Sequence, residues 1–215
     1  MKKNMKYKSF LMFLLSVIIF STSGFAASAN SSGKFDSEDS TGKTSITYYE
    51  TEEEILEAHK KLAEEELRKI MSGNGLFNHP DDYKIEYGDR KNTKAGGYAG
   101  NQPDSNGYRF NTGGGFYWSD SGGPTVTANV AFPYPWDHVS LSVPLGNKST
   151  SGVFVTVPNT VDRFKLWIDK HYSVQPYNIY QWTYDYNSGF YYWKLISKSH
   201  TSTRTGVDYW AKKVN

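Results

Sequence analysis

Chemistry in a protein chain needs titratable, nucleophilic or metal-ligating side chains at workable spacings, and this 215-residue sequence offers few. Its five histidines, His59, His79, His138, His171 and His200, are scattered, and no two form the His-x-His or His-x-x-x-His pair of a local zinc site. Asn78-His79-Pro80-Asp81-Asp82 sets one histidine beside two carboxylates. Asn, Pro and Asp are also turn formers, and the segment is read as a helix-to-strand turn. Asp104-Ser105-Asn106-Gly107 and Asp185-Tyr186-Asn187-Ser188-Gly189 carry the oxygen-rich side chains of calcium loops without the full ligand spacing or the distal Glu. No metal and no cofactor are expected. A glycosidase carboxylate pair is defined by a distance in space, so sequence nominates none. The absence of cysteine excludes disulfides, Cys-ligated zinc, iron–sulfur clusters, thiol catalysis and the lipid-modified cysteine of bacterial lipoproteins.

One short segment has the composition of a nucleophile loop. Asp120-Ser121-Gly122-Gly123-Pro124 places a hydroxyl between an aspartate and two glycines that allow a tight backbone. It resembles the nucleophile segment of the trypsin-like serine proteases. That resemblance implies Ser121 as the attacking group, with Gly122 and Gly123 behind it. It covers five residues and then departs. Ser119 stands where the family has glycine, the surroundings of His59 and His79 do not match the family's histidine motif, and too few residues precede Ser121 for the first barrel of a two-barrel protease. Ser121 is therefore kept as a candidate nucleophile in a segment read chiefly as a turn. The cluster Gly96-Gly97-Tyr98-Ala99-Gly100 neither follows a strand nor opens a helix in this reading, so it is taken as loop rather than as a phosphate cradle.

Aromatic residues are the more informative feature. They make up 16% of the chain, and between Phe164 and Trp193 twelve of thirty residues are Phe, Trp or Tyr. If Tyr177 to Tyr184 and Phe190 to Ile196 are strands around the turn Asp185 to Gly189, then Tyr180, Trp182 and Tyr184 share one face of the first strand. Tyr191 and Trp193 alternate with Phe190 and Tyr192 on the second. Tyr and Trp on an exposed β surface present apolar rings with a polar edge, which stack on sugar rings or anchor protein partners. Tyr180, Trp182, Tyr184, Tyr191 and Trp193 are the candidate ligand-binding residues. The competing reading is that the same rings fill the core.

Several elements must position these residues. Residues 1–29 combine a lysine-rich start, the apolar run Phe10 to Phe20 and the small-x-small pattern Ala27-Ser28-Ala29, the three regions of a secretory signal peptide cleaved after Ala29. The apolar run is well short of the roughly 20 residues that span a bilayer, so no stable membrane anchor is expected in the mature protein. Removing Lys2, Lys3, Lys6 and Lys8 with the leader leaves 20 basic against 22 acidic residues, a net charge of −2. Without a long-range positive field, nucleic-acid binding and docking on anionic lipid lose their main driving force. The short n-region and the absence of cysteine suit a Gram-positive source.

Residues 30–50 are polar and are expected to be a disordered arm. Residues 51–73 read as an amphipathic helix. Thr51 is the N-cap with Glu54 closing a capping box, and Ile55, Leu56, Leu62, Ala63, Leu67, Ile70 and Met71 form the stripe. Glu57–Lys61, Glu64–Arg68 and Glu65–Lys69 are i, i+4 pairs. Residues 74–123 read as an irregular Gly/Asn/Tyr-rich segment with short strand-like pieces at Tyr83 to Tyr87 and Phe116 to Trp118. From Pro124 to the end the period becomes two, giving six or seven strands separated by turns. The fold class is mainly β: an antiparallel sandwich-like or open-barrel domain preceded by one amphipathic helix.

The functional expectation is a secreted, extracellular, non-enzymatic binding protein whose aromatic β surface contacts a cell-wall glycan or a surface protein. The alternatives are a secreted antibacterial or pore-forming protein, with Thr125 to Ala131 and Val139 to Val143 as barrel strands, and a serine hydrolase acting through Ser121.

Overall fold

A computed structural model describes residues 34–36, 42–73, 82–103 and 105–214. The segment read as a signal peptide, the expected turn at His79 and Asp104 lie outside them. The fold is built on one hairpin. Strand β11 (Arg163–Asp185) pairs with β12 (Phe190–Val214) from Arg163 opposite Val214 to Asp185 opposite Phe190. The turn between them closes through Gly189, at φ 75°, whose N–H donates to the Asp185 carbonyl at 2.8 Å. Thr205 and Ile196 are extra residues on β12, where the register shifts between His171 and Tyr172 and between Ile179 and Tyr180. Each bulge moves the following β12 side chains to the other face of the sheet.

Shorter strands add to both sides of this spine. Along the outer edge of β11, β5 (Tyr108–Arg109) pairs with residues 163–164, β4 (Lys91–Tyr98) with 167–174 and β3 (Tyr83–Tyr87) with 177–181. On the β12 side, β2 (Thr44–Thr47) pairs with residues 206–209 and β1 (Lys34–Asp36) pairs with β2. Two smaller sheets cover one face of the spine. One has β6 (Gly115–Ser119) between β9 (Asn147–Ser149) and β10 (Val153–Thr156); the other is the ribbon of β7 (Thr125–Ala131) and β8 (His138–Pro144). All strand pairings are antiparallel and the sheets do not close into a barrel.

Three apolar clusters hold the layers together. Phe116, Trp118 and Val155 pack on Phe164, Leu166, Ile168, Val207 and Tyr209. The inward face of β7 and β8, Ala128, Val130, Val139, Leu141 and Val143, packs on Ala95 and Val174. On the opposite face of the spine, helix α1 (Glu52–Gly73) seats Ala63, Leu67, Ile70 and Met71 on Tyr83, Tyr177 and Ile179.

The helix begins as its sequence dictates. Thr51 Oγ1 accepts from the Glu54 N–H at 3.2 Å while the Glu54 carboxylate accepts from the Thr51 N–H, and Glu64–Arg68 and Glu65–Lys69 form ion pairs at 3.6 and 3.2 Å. Its seat is less apolar than the stripe suggested. Leu56 is exposed, and His59 is fully buried against Ser173 and Thr201.

Three expectations are corrected. Residues 30–50 are not wholly irregular, because Thr44–Thr47 forms a strand, with Ser45 Oγ donating to Asp208 at 2.7 Å and Ile46 packing on the first core. Within 74–123, Gly96, Gly97 and Tyr98 of the glycine cluster read as loop are the last three residues of β4, where neighbouring side chains approach both glycines closely. A Cβ on Gly96 would lie 1.9 Å from Asp169 Oδ1, and one on Gly97 would lie 2.7 Å from Leu145 Cδ1. The strand expected at Tyr177 to Tyr184 is the last part of one that begins at Arg163, β11, and the strand expected at Phe190 to Ile196 runs on to Val214 as β12.

Candidate binding surface

Strand β3 leaves the spine at Gln181, and beyond that point the tip of the β11–β12 hairpin runs on as a ribbon of two strands. Of the twelve residues from Trp182 to Trp193, seven are aromatic and one, Asp185, is charged. The register places Tyr180 opposite Leu195, Trp182 opposite Trp193 and Tyr184 opposite Tyr191, so the five candidate residues share one face.

The rings touch in sequence. Trp182 and Trp193 have centroids 5.1 Å apart, Trp182 stacks on Tyr191 at 5.9 Å with an 11° interplanar angle, and Tyr184 contacts Tyr191 at 5.0 Å and Tyr186 at 5.1 Å. At the inner end Lys84, anchored by Glu86, lies over both Tyr180 and Trp193, 4.9 and 5.0 Å from their centroids. Such pairs contribute about 0.5–1.5 kcal/mol each beyond area burial, which stiffens a ribbon that a bare hairpin would not hold.

The platform stays open to solvent. Trp182 is 40% exposed, Tyr184 38% and Tyr191 60%. The rings of this ribbon lie outside the three buried clusters. Tyr186, Phe190 and Tyr192 are exposed on the same ribbon but off the five-ring face, and the candidate set does not include them. Alternation assigned Phe190 and Tyr192 to the reverse face, and Tyr186 sits in the turn. Asp185 is occupied by that turn: the Asn187 N–H donates to its carboxylate at 3.0 Å and Ser188 Oγ at 2.8 Å, and these bonds hold its pKa below the ordinary carboxylate value. Among the described residues, no group of three or more His, Asp or Glu side chains is placed to hold a metal ion.

The Ser121 segment has a different surrounding from a nucleophile loop. Ser121 is exposed between β6 and β7, and its carbonyl accepts from Asn147 Nδ2 at 2.8 Å. Asp120 receives Lys170 and Arg204, and Lys170, almost wholly buried, also donates to the Pro144 carbonyl at 2.6 Å. Burial lowers the Lys170 pKa and its contact with Asp120 opposes that. Gly122 and Gly123 lie at φ 67° and 85°, and a Cβ on Gly123 would meet the Gly146 carbonyl oxygen at 2.0 Å. The pentapeptide thus stitches the β6–β7 turn to the segment after β8.

Among the described residues no hydrogen bond joins Ser121 to a histidine. His59 contacts Ser173 and Thr201, His171 contacts Asp208 at 2.9 Å, and His138 and His200 flank a small pocket beside Trp136. Compared with protein-family models, curated proteins and solved structures, the chain has no significant match.

Proposed function

We propose that this is a secreted, non-enzymatic binding protein that docks on a cell-wall glycan through the aromatic face of its projecting ribbon. The observation that carries the reading is the ladder of Tyr180, Trp182, Tyr184, Tyr191 and Trp193 on one side of a two-stranded tip, partly exposed and nearly free of charge. Ring faces of this kind stack on the apolar faces of sugars, and the ordering cost is small because the rings already hold one another. The three-part leader at residues 1–29 supports export. No helix among the described residues is long and apolar enough to cross a membrane.

The test is co-sedimentation of residues 30–215 with purified Gram-positive cell wall, with and without soluble glycan as competitor. Retention that soluble glycan reverses supports the reading, and retention that Trp182→Ala with Trp193→Ala leaves unchanged defeats it.

A second reading draws on Phe190 and Tyr192, which point to the reverse face, and on Tyr186 at the tip. A glycan chain lying on one face would leave these rings in water, whereas the interfacial zone of a bilayer accepts Tyr and Trp on every side of an inserted tip. This is the geometry an antibacterial or membrane-damaging protein would use. Leakage of dye from zwitterionic vesicles, lost in Phe190→Ser, favours this reading over the first.

A further inference from the structure

A cleft of about 600 Å³ opens where the first turn of α1 meets the sheet, a volume within the about 300–1,000 Å³ of small-ligand sites. Its floor is the face that seats the helix further along, since His171 lies two residues before Ser173, the contact of His59. One wall is the connection from β2 into α1, with Tyr49, Thr51 and Ile55; the other is the start of β4, with Asn92. Arg90 braces the two walls, its guanidinium meeting the carboxylate of Glu52 and, at 3.4 Å, its carbonyl. The bulge residue Thr205 lies in the floor, and its carbonyl accepts from the Tyr48 N–H at 3.0 Å, which fixes where the first wall begins. Bulges re-aim the strand beside functional sites.

The floor is built around one imidazole. His171 stands opposite Gly206, so β12 places no side chain beside the ring, and Lys94, opposite on β4, turns to Asp169 at 3.5 Å. Asp208 holds the ring in place: its carboxylate accepts from His171 Nε2 at 2.9 Å, from Ser45 at 2.7 Å and from Lys43 at 2.7 Å. Burial works against that charge, and the contacts with Lys43, Ser45 and His171 outweigh it, holding the Asp208 pKa below the ordinary value. A carboxylate only accepts, so Nε2 carries the hydrogen and Nδ1 of the neutral ring is an acceptor. Among the described residues Nδ1 has no hydrogen-bond partner, and the side chain is 38% exposed. Thr51 Oγ1 accepts from the Glu54 N–H and keeps its own O–H to donate, and the Asn92 amide offers both functions. No Lys or Arg lines the cleft, and two of its three carboxylates, Asp208 and Glu52, are already met by Lys43 and Arg90. An acid group finds no cation here, and the third carboxylate, Glu50, repels it.

We propose that this cleft binds one uncharged sugar unit, with a hydroxyl donating to His171 Nδ1, further hydroxyls bonded to Thr51 and Asn92, and the apolar face of the ring against Tyr49 and Ile55. Each sugar hydroxyl both donates and accepts, which suits a lining that offers an acceptor, a donor and an amide. No residue of the ribbon lines the cleft, so the site is independent of the ribbon reading.

The experiment is a calorimetric titration of the intact protein with glucose, galactose, mannose and N-acetylglucosamine, and with glucuronate as the acidic comparison, at about pH 8, above the ordinary imidazole value. A long-range proton–nitrogen imidazole spectrum follows His171 Nδ1 in the same samples. At least one neutral sugar binds and shifts the Nδ1 resonance, and glucuronate binds less tightly than that sugar. His171→Gln keeps an N–H for Asp208 but loses the acceptor, and weakens binding about tenfold. Asn92→Ala, at an exposed position, provides the same comparison if His171→Gln does not fold. Trp182→Ala with Trp193→Ala leaves the affinity unchanged, so failure here is separable from failure of the ribbon reading. Absence of binding to every neutral sugar, glucuronate binding at least as tightly, an unshifted Nδ1 resonance, or parental affinity in a folded His171→Gln or Asn92→Ala protein overturns the proposal.

Discussion

Trp182 and Trp193 face each other directly across the β11–β12 ribbon, their centroids 5.1 Å apart at 53°, on the part of the hairpin where no third strand pairs. Both lie outside the buried clusters, so replacing both by alanine should cost the fold less than about 2 kcal/mol, close to the value of an aromatic cross-strand pair. Urea unfolding measures that cost, and wall co-sedimentation of the same protein should show retention abolished. A collapse of the whole fold would instead make these rings part of its core.

His59 gives stability a pH dependence of known sign. Thr201 Oγ1 donates to the Gln175 carbonyl at 3.3 Å and so accepts from His59 Nδ1–H at 2.6 Å, which leaves Nε2 to accept from Ser173 at 2.9 Å. This neutral tautomer satisfies both ring nitrogens. Burial lowers the His59 pKa from 6.5 to about 4. Between those values the unfolded chain binds the proton and the folded one does not, so stability falls as pH drops through this window, by about 2 kcal/mol at pH 5. Burial also lowers the pKa of His200, partly offset by Glu66, and this adds a contribution of the same sign. Denaturation curves at pH 7 and pH 5 should differ accordingly, and His59→Gln should reduce the difference.

Glu66 is the second polar fastening of α1. It accepts from the Tyr177 hydroxyl, from Ser197 at 3.2 Å and from Ser199 at 3.4 Å. Burial, reinforced by this carboxylate, raises the Tyr177 pKa, so the phenol remains a donor throughout the working pH range. Glu66→Leu should cost about 2–3 kcal/mol, because it removes a charged acceptor shared by three hydroxyls. Tyr177→Phe leaves both serines on Glu66 and should cost less. Equilibrium unfolding of the two variants ranks them, and equal costs would contradict a shared acceptor.

The Asp120–Ser121 pair separates structure from catalysis. Asp120→Ala leaves Lys170 buried without its carboxylate and should destabilise the protein by about 3–5 kcal/mol. Ser121→Ala, at an exposed turn position, should fall within about 0.5 kcal/mol of the parent. An active-site fluorophosphonate should not label Ser121, and labelling that disappears in Ser121→Ala would restore the hydrolase alternative.

The features readable from sequence are those encoded locally. Thr51, Glu54 and the i, i+4 pairs fix the start and surface of α1 within a few residues, and strict alternation marks β8. Placement of the ribbon rings on one face follows from period two around a recognisable turn. The length of β11 was not legible because its buried side changes along the way. Phe164, Leu166 and Ile168 face one core, Tyr177 and Ile179 the other, and both sides are buried between them. A pattern that changes phase reads as two strands, and the bulges at Thr205 and Ile196 have the same effect on β12. His59, Glu66 and the Lys170–Asp120–Arg204 contact depend on partners far away in sequence, which leave no local signal. Thr44–Thr47 is polar on average and becomes a strand only because β12 supplies its hydrogen bonds. Gly96 reads as loop by propensity, and its place in β4 comes from pairing with Asp169 of β11, far along the chain.

The position of β11 also sets an order of assembly. Strands β3, β4 and β5 all precede it in the chain and all pair with its outer edge, and the apolar faces of β6, β7 and β8 pack on the same spine. During synthesis from the N-terminus these segments emerge before the strand that organises them. Strands β3, β4 and β5 therefore lack the edge they pair with until the last quarter of the chain is made, whereas β7–β8 and the β6, β9 and β10 sheet can pair among themselves before it. The closing event is local, since β11 and β12 zip outward from a four-residue turn, and the waiting strands can then add along an edge that already exists.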